Sequence, residues 1–361
     1  MLFRSYLMEA RLGPDMGGTT VASAGKEAVL WERQLDGSVV CQLCAHRCRI
    51  RPGLRGICGV RENEAGTLQS LVTDRIVSSG VDPIEKKPFF HFLPGSLAYS
   101  IATAGCNFHC LFCQNWTIAR WPREHPGRIP GDAIAPAAVV RAARAAACAS
   151  IAYTYTEPTI FMELALETGR LAFEAGLRNL FVTNGYMTPE ALALVAPVLH
   201  GANVDLKSFS DRYYRKVCGA TLPPVLETIA GMRERGIWVE VTTLLIPGHN
   251  DGDQELNAMA GWLAGVDREM PWHVSAFFPT YKMTDVPPTP ASALHRAAEI
   301  GRAAGLRYVY TGNVPGDVWE NTHCPGCSSG LVRRRGFELL ENRVSGGRCP
   351  DCATPIAGVW R

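Results

Sequence analysis

The stretch Ala104-Gly105-Cys106-Asn107-Phe108-His109-Cys110-Leu111-Phe112-Cys113-Gln114-Asn115 sets three cysteines inside eight residues, in the spacing Cys-x3-Cys-x2-Cys. Three thiolates without a fourth do not close a zinc tetrahedron. They do fit a loop wrapped around one corner of a four-iron cube, which leaves the fourth iron open for chemistry. The run just before them, Leu97–Thr103, is strand-like, so the cysteines fall where a strand ends.

Working outward, further strand-like runs occur at Ile151–Tyr155, Leu180–Thr183, Asn203–Leu206, Trp238–Leu245, Trp272–Phe277 and Arg307–Tyr310. Helical stretches lie between them. One opens at Pro136, a residue suited to a first helical turn. Another follows Glu157-Pro158 and stops near Gly176, which suits a helix C-terminus. Others cover about 189–199, 222–235, 253–264 and 290–304. Repeated strand–helix units predict a parallel sheet with right-handed crossovers. The expected fold is α/β, an open or incomplete parallel β/α barrel, with a doubly wound sheet as the alternative. In either, ligands bind at the C-terminal ends of strands. The polar motifs fall there: Thr154-Tyr155-Thr156-Glu157-Pro158, Thr183-Asn184-Gly185-Tyr186, Asp205-Leu206-Lys207, Thr242 with Thr243, and His273 with Ser275.

A chain of 361 residues with 47% hydrophobic and 19% charged content reads as globular. A net charge of +2 gives no global case for nucleic acid. The basic runs Arg47, Arg49, Arg51, Arg55 and Arg333, Arg334, Arg335 read as solvated surface. No apolar run is long enough to span a membrane. The opening residues lack a signal-peptide core, so a cytoplasmic protein is expected. In a reducing compartment clustered cysteines are metal ligands rather than disulfides.

Eleven of the 13 cysteines fall into three clusters. Cys324-Pro-Gly-Cys327 and Cys349-Pro-Asp-Cys352 are two knuckles of the kind that close around zinc, and they predict a zinc ribbon, with a rubredoxin-like iron site or an empty site as the alternatives. Cys41, Cys44, Cys48 and Cys58 are irregularly spaced, and either zinc or an auxiliary iron–sulfur cluster suits them. His46 lies among them as a bystander or a substitute ligand. Both four-cysteine sets are complete, so the triplet keeps its vacancy. Cys148 reads as packing. Cys218 reads as a small buried hydrophobe, with hydrogen-atom donation or modification as the alternative.

The triplet, with Phe112 at its aromatic position, resembles the signature of the radical S-adenosylmethionine (radical SAM) superfamily. Val81-Asp82-Pro83-Ile84-Glu85-Lys86-Lys87-Pro88, the Tyr153–Thr159 run and Thr-Asn-Gly-Tyr are similar to the radical enzyme of the AmmeMemoRadiSam system, which is related to the activating enzymes of glycyl-radical enzymes such as pyruvate formate-lyase. The resemblance covers about residue 28 to the end. It implies a partial barrel of radical SAM type over 96–315, after an N-terminal extension (1–27) that is poorly ordered and a Cys-rich segment (28–95), and before a zinc-ribbon-like segment (316–361).

The resemblance also implies a [4Fe–4S] cluster on Cys106, Cys110 and Cys113, with S-adenosylmethionine chelated at the open iron. Reductive cleavage then gives methionine and a 5′-deoxyadenosyl radical that abstracts hydrogen from a substrate. Carried over residue by residue, Glu157 keeps the acid of a Gly-Gly-Glu-Pro segment whose glycines are replaced here by Tyr155 and Thr156. Asp205 and Lys207 match an Asp-x-Lys that contacts the cofactor. Thr183 and Asn184 join them, and Phe112 approaches adenine or packs the loop. The activating enzymes carry an Asp before Thr-Asn-Gly for a monovalent cation; Val182 stands here, so that site is not expected. The implied partners are a one-electron donor such as flavodoxin or ferredoxin, a metabolite or protein substrate, and a functional link to Memo-like and AMMECR1-like proteins. The rivals are a glycyl-radical activase and a non-catalytic metal-binding module; the second predicts a more basic surface.

Overall fold

The structure is a computed structural model that describes residues 25–361, so most of the expected N-terminal extension lies outside the described residues. Eight strands form the central sheet: β1 (Ser78–Pro83), β2 (Leu97–Ala102), β3 (Ser150–Tyr153), β4 (Arg178–Thr183), β5 (Gly201–Asp205), β6 (Trp238–Leu245), β7 (Trp272–Ala276) and β8 (Val309–Gly312). They lie in sequential order from β1 to β8. From β2 to β8 every neighbouring pair is parallel. The two ends of the sheet are not joined, so the barrel is partial. Every residue of β3 and β7 is buried, as a parallel sheet covered on both faces requires.

The connecting helices start where the sequence allows. These are α1 (Trp116–Glu124), α2 (Pro136–Ala145), α3 (Met162–Glu174), α4 (Pro189–Val195), α5 (Pro223–Glu234), α6 (Asp253–Val266) and α7 (Ala291–Ala303). Proline stands in the first turn of α2, α4 and α5. At α4 the Thr188 hydroxyl also accepts the Ala191 amide, a side-chain N-cap.

Within the central sheet and its covering helices, two elements were not anticipated. The first is β1, antiparallel to β2 at the sheet edge; its Ser-Ser-Gly-Val-Asp-Pro run is half exposed and lacks the apolar signal of a central strand. The second is α1, which contains Pro122. Proline normally ends a helix because it removes the bond to the carbonyl four residues back. Here that carbonyl, on Ile118, is taken by the Gly105 amide at 3.0 Å.

Residues before β1 form two small antiparallel sheets. One joins Trp31–Arg33, Val39–Cys41 and Arg49–Ile50, and the other joins Lys26–Glu27, Thr67–Ser70 and Arg61–Glu64. After β8, Thr322–His323, Gly330–Arg335 and Glu338–Asn342 form a third, the scaffold of the ribbon-like segment. The ribbon docks on the 88–93 segment, which meets the sheet far from the cysteine triplet. Glu240 near the start of β6 accepts the Phe90 and His91 amides at 3.0 and 2.8 Å.

Two expectations change here. Arg334 is not solvated surface: it is 3% exposed, donates to the Phe90 carbonyl at 2.7 Å and lies over the Phe90 ring. The planar guanidinium satisfies buried carbonyls and stacks on the ring, which the neighbouring Arg333 and Arg335, pointing the other way along the strand, do not do. His273 is not at the mouth of the barrel either. It sits near the start of β7, bonded to Glu240 at 2.6 Å.

Candidate functional site

The cysteine loop leaves β2 and rises over the C-terminal ends of the strands. Gly105 turns it with φ +97°, a conformation that favours glycine. Cys106, Cys110 and Cys113 are all partly exposed. An amide prepares one of the sulfurs: Phe108 N lies 3.4 Å from Cys106 Sγ. The loop is held from three sides. Leu111 N donates to Val217 O and Lys282 N to Leu111 O, each at 3.0 Å. Asn115 Nδ2 donates to Tyr155 O at 2.8 Å.

The expected site residues divide into two groups. Glu157, Thr183 and Asn184 form a buried knot. Glu157 Oε1 accepts the Thr159 amide at 3.0 Å and the Thr159 and Thr183 hydroxyls at 2.6 Å each. Its Oε2 accepts only the Asn184 amide, at 2.7 Å, so it keeps acceptor capacity. Asn184 Nδ2 reaches Asn107 Oδ1 at 2.7 Å, which ties the end of β4 to the cysteine loop. Thr156 donates its hydroxyl to Thr103 O at 2.8 Å. The second group is Asp205, Lys207 and Phe112. Lys207 Nζ bonds Asp205 Oδ2 at 2.9 Å and stands 5.7 Å from the centre of the Phe112 ring. Phe112 is buried.

Cys218 belongs to this second group. A single π-helical turn, Tyr214–Cys218, carries it to the loop, where its carbonyl accepts the His109 amide at 2.7 Å. The Cys218 side chain, with help from the charge of Lys207, holds the Cys110 thiol below the ordinary range against burial. Burial pushes Cys106 up, and pushes Cys113 up to about 12. Burial would neutralise Lys207, but Asp205 and Cys110 overcome it and keep the ammonium charged. Several buried polar atoms around the loop have no hydrogen-bond partner: Asn107 Nδ2, His109 Nε2 and Tyr213 OH. Three thiols, unspent N–H donors and a nearby cation suit an anionic cluster with a zwitterionic ligand.

Asn107, Asn115 and Cys218 were not singled out as site residues. Asn107 lies inside the triplet and Asn115 two residues after it, and polar side chains so close to the cysteines were the available signal. Nothing local marked Cys218.

The ribbon cysteines form a second centre. Their four sulfurs lie within 4.8 Å of one another, with Cys324 3.5 Å from Cys352 and Cys327 3.7 Å from Cys349. This group is able to bind a metal ion. Cys41, Cys44, Cys48 and Cys58 line a separate cavity.

The sequence profile of the Radical SAM superfamily matches residues 100–260, the span that carries the loop, Glu157, Asp205 and Lys207. MJ0808, an uncharacterized protein of Methanocaldococcus jannaschii, is 43% identical over 334 residues, 92% of this chain and 98% of that one. Among solved structures, a radical SAM methyltransferase from Sphaerobacter thermophilus is similar with a TM-score of 0.49 and 19% identity, over 63% of this chain and 71% of the other. A domain of pyruvate-formate lyase-activating enzyme from Bacteroides vulgatus is similar with a TM-score of 0.40 and 18% identity, over 45% of this chain and 99% of that domain.

Proposed function

The chain belongs to the radical SAM superfamily and is an enzyme of that type, and from this premise we propose how its own residues serve the chemistry. Cys106, Cys110 and Cys113 would hold a [4Fe–4S] cluster, with S-adenosylmethionine at its open iron. Bound there, the pair supplies a one-electron cleavage of the sulfonium and a 5′-deoxyadenosyl radical for hydrogen abstraction. The observation that carries this reading is the meeting of Cys110, Phe112 and the Asp205–Lys207 pair at one strand-end mouth.

The protein's part is positioning. Lys207 offers a fixed ammonium that suits a methionine carboxylate. Asp205, whose side chain is 37% exposed, offers an acceptor for an ammonium or ribose hydroxyl. Glu157 orders the ends of β3 and β4 and through Asn184 steadies the cysteine loop. Phe112 packs against the loop and screens Lys207 from water. The Cys218 thiol and the loop amides favour the thiolate form of the ligands.

We infer a one-electron donor of the flavodoxin or ferredoxin class, an organic metabolite or a partner protein as substrate, and a link to Memo-like and AMMECR1-like proteins. For the ribbon we infer a structural zinc. The test is anaerobic reconstitution with iron and sulfide, then reduction with S-adenosylmethionine present. We expect 5′-deoxyadenosine from the wild type and none from Cys110→Ala, whose ribbon metal stays in place. A verified reduced cluster that yields no 5′-deoxyadenosine overturns the reading.

A further inference from the structure

Cys41, Cys44, Cys48 and Cys58 come from different pieces of the N-terminal segment. Cys41 ends a strand, Cys44 and Cys48 lie in the turn that follows, and Cys58 precedes the strand Arg61–Glu64. The fold brings all four to one cavity that is partly open to solvent. The rest of its lining is mostly apolar, with Leu43, Ile50, Ile57 and Ile160.

The ribbon provides an internal comparison. Four thiolates on one zinc, with bonds of about 2.3 Å, stand about 3.8 Å apart and leave no room between them. The ribbon pairs at 3.5 and 3.7 Å already have that spacing. The N-terminal thiols instead border a space, which is what four irons and four sulfides need.

Donors face the sulfurs. The backbone amides of His46, Ile57 and Val60 act on the Cys44, Cys48 and Cys58 thiols in the direction of the thiolate, against burial. Arg61 Nη1 donates to Cys41 Sγ at 3.4 Å. Arg61 is 2% exposed, paired with Glu163, and lines the cavity with its Nε unpartnered. A buried cation with an unused N–H beside four thiols fits an anionic cluster.

The cavity also abuts the triplet. A Cβ built on Gly105 would stand 2.8 Å from the Cys58 carbonyl oxygen and 3.1 Å from Ile160 Cδ1. His46 Nε2 bonds Asn107 O at 2.8 Å. Arg123 donates to Cys106 O at 3.2 Å and its charge is felt by Cys58, Cys106 and Cys48.

We propose that Cys41, Cys44, Cys48 and Cys58 hold a second [4Fe–4S] cluster, complete in its own ligands, that hands single electrons to the cluster at Cys106. One electron enters from a reduced flavodoxin-class donor and one leaves toward Cys106, and no bond is made or broken at the station. The occupant stands independently of the reading of the triplet; the relay rests on it.

The test is metal and sulfide analysis after anaerobic reconstitution of three full-length chains: the wild type, the triple variant Cys106→Ala/Cys110→Ala/Cys113→Ala, and Cys44→Ala/Cys48→Ala. We expect about eight irons in the wild type and about four in the triple variant, which shows a reduced-cluster resonance indifferent to S-adenosylmethionine. A triple variant with no iron and a second zinc overturns the occupant. In Cys44→Ala/Cys48→Ala, checked for retained ribbon metal and triplet iron, 5′-deoxyadenosine formation should fall about tenfold with reduced flavodoxin relative to dithionite. Equal rates with both donors overturn the relay. A wild type that makes no 5′-deoxyadenosine sinks the radical reading, while the iron count of the triple variant still decides the occupant.

Discussion

Gly105 stands where two cysteine loops touch. Its φ of +97° and the two atoms 2.8 Å from a notional Cβ, Cys58 O and Val60 Cγ1, leave no place for a side chain. Gly105→Ala should cost about 2 kcal/mol or more, read as a lower melting temperature together with reduced iron retention. Lys207 makes a different prediction. Lys207→Met removes a charge-assisted contact worth about 1.5–3 kcal/mol. S-adenosylmethionine affinity should fall about tenfold or more, by equilibrium binding, with cluster iron unchanged. Unchanged affinity would assign Lys207 to the Asp205 pair alone. Lys207 could be read from sequence, as Asp-x-Lys after a strand; the left-handed turn at Gly105 could not. Nor could the meeting of Cys218 with the cysteine loop, because the π-helical turn that delivers Cys218 has no local signature.

At the scale of elements, a proline inside α1 and a carboxylate between β3 and β4 both support the cysteine loop. Pro122 frees the Ile118 carbonyl, which accepts the Gly105 amide. Pro122→Ala gives the helix its own bond back. The amide at residue 122 then competes with Gly105, and we expect a more stable helix with a looser loop, read as faster loss of iron to a chelator. Slower loss would mean that Gly105 keeps its bond. Glu157→Ala strips partners from the buried Thr159 and Asn184 amides. Each unsatisfied group costs about 1–3 kcal/mol, so the denaturation midpoint should drop markedly. The strand–helix alternation was legible because apolar runs of strand length alternate with helix-length segments opened by proline. β1 and α1 were not, since an edge strand needs no continuous apolar run and a proline normally argues against a helix.

At the scale of the molecule, the ribbon and the sheet share a buried polar joint. His91 is fully buried, bonded through Nδ1 to Ala357 O at 2.6 Å and through Nε2 to Tyr310. Burial lowers its pKa from 6.5 to about 4. As pH falls, the unfolded chain therefore takes up the proton first. Stability from this group is full above about pH 6.5 and is lost as pH drops toward 4, by about 3 kcal/mol at most. Melting temperature against pH should show this acid limb, and His91→Asn should flatten it. A chelator selective for zinc over cluster iron should lower the melting temperature by emptying the ribbon, with the iron count unchanged. By itself the sequence determined the ribbon's four cysteines, the α/β alternation and most of the strand-end motifs, because ligand spacing and hydrophobic period are written along the chain. Only tertiary structure decided that Cys58 lies against Gly105, that Cys218 meets the cysteine loop, that His273 sits away from the mouth, and that Arg334 is buried while its neighbours are not. Those contacts join residues far apart in the chain, and packing, not local pattern, selects them.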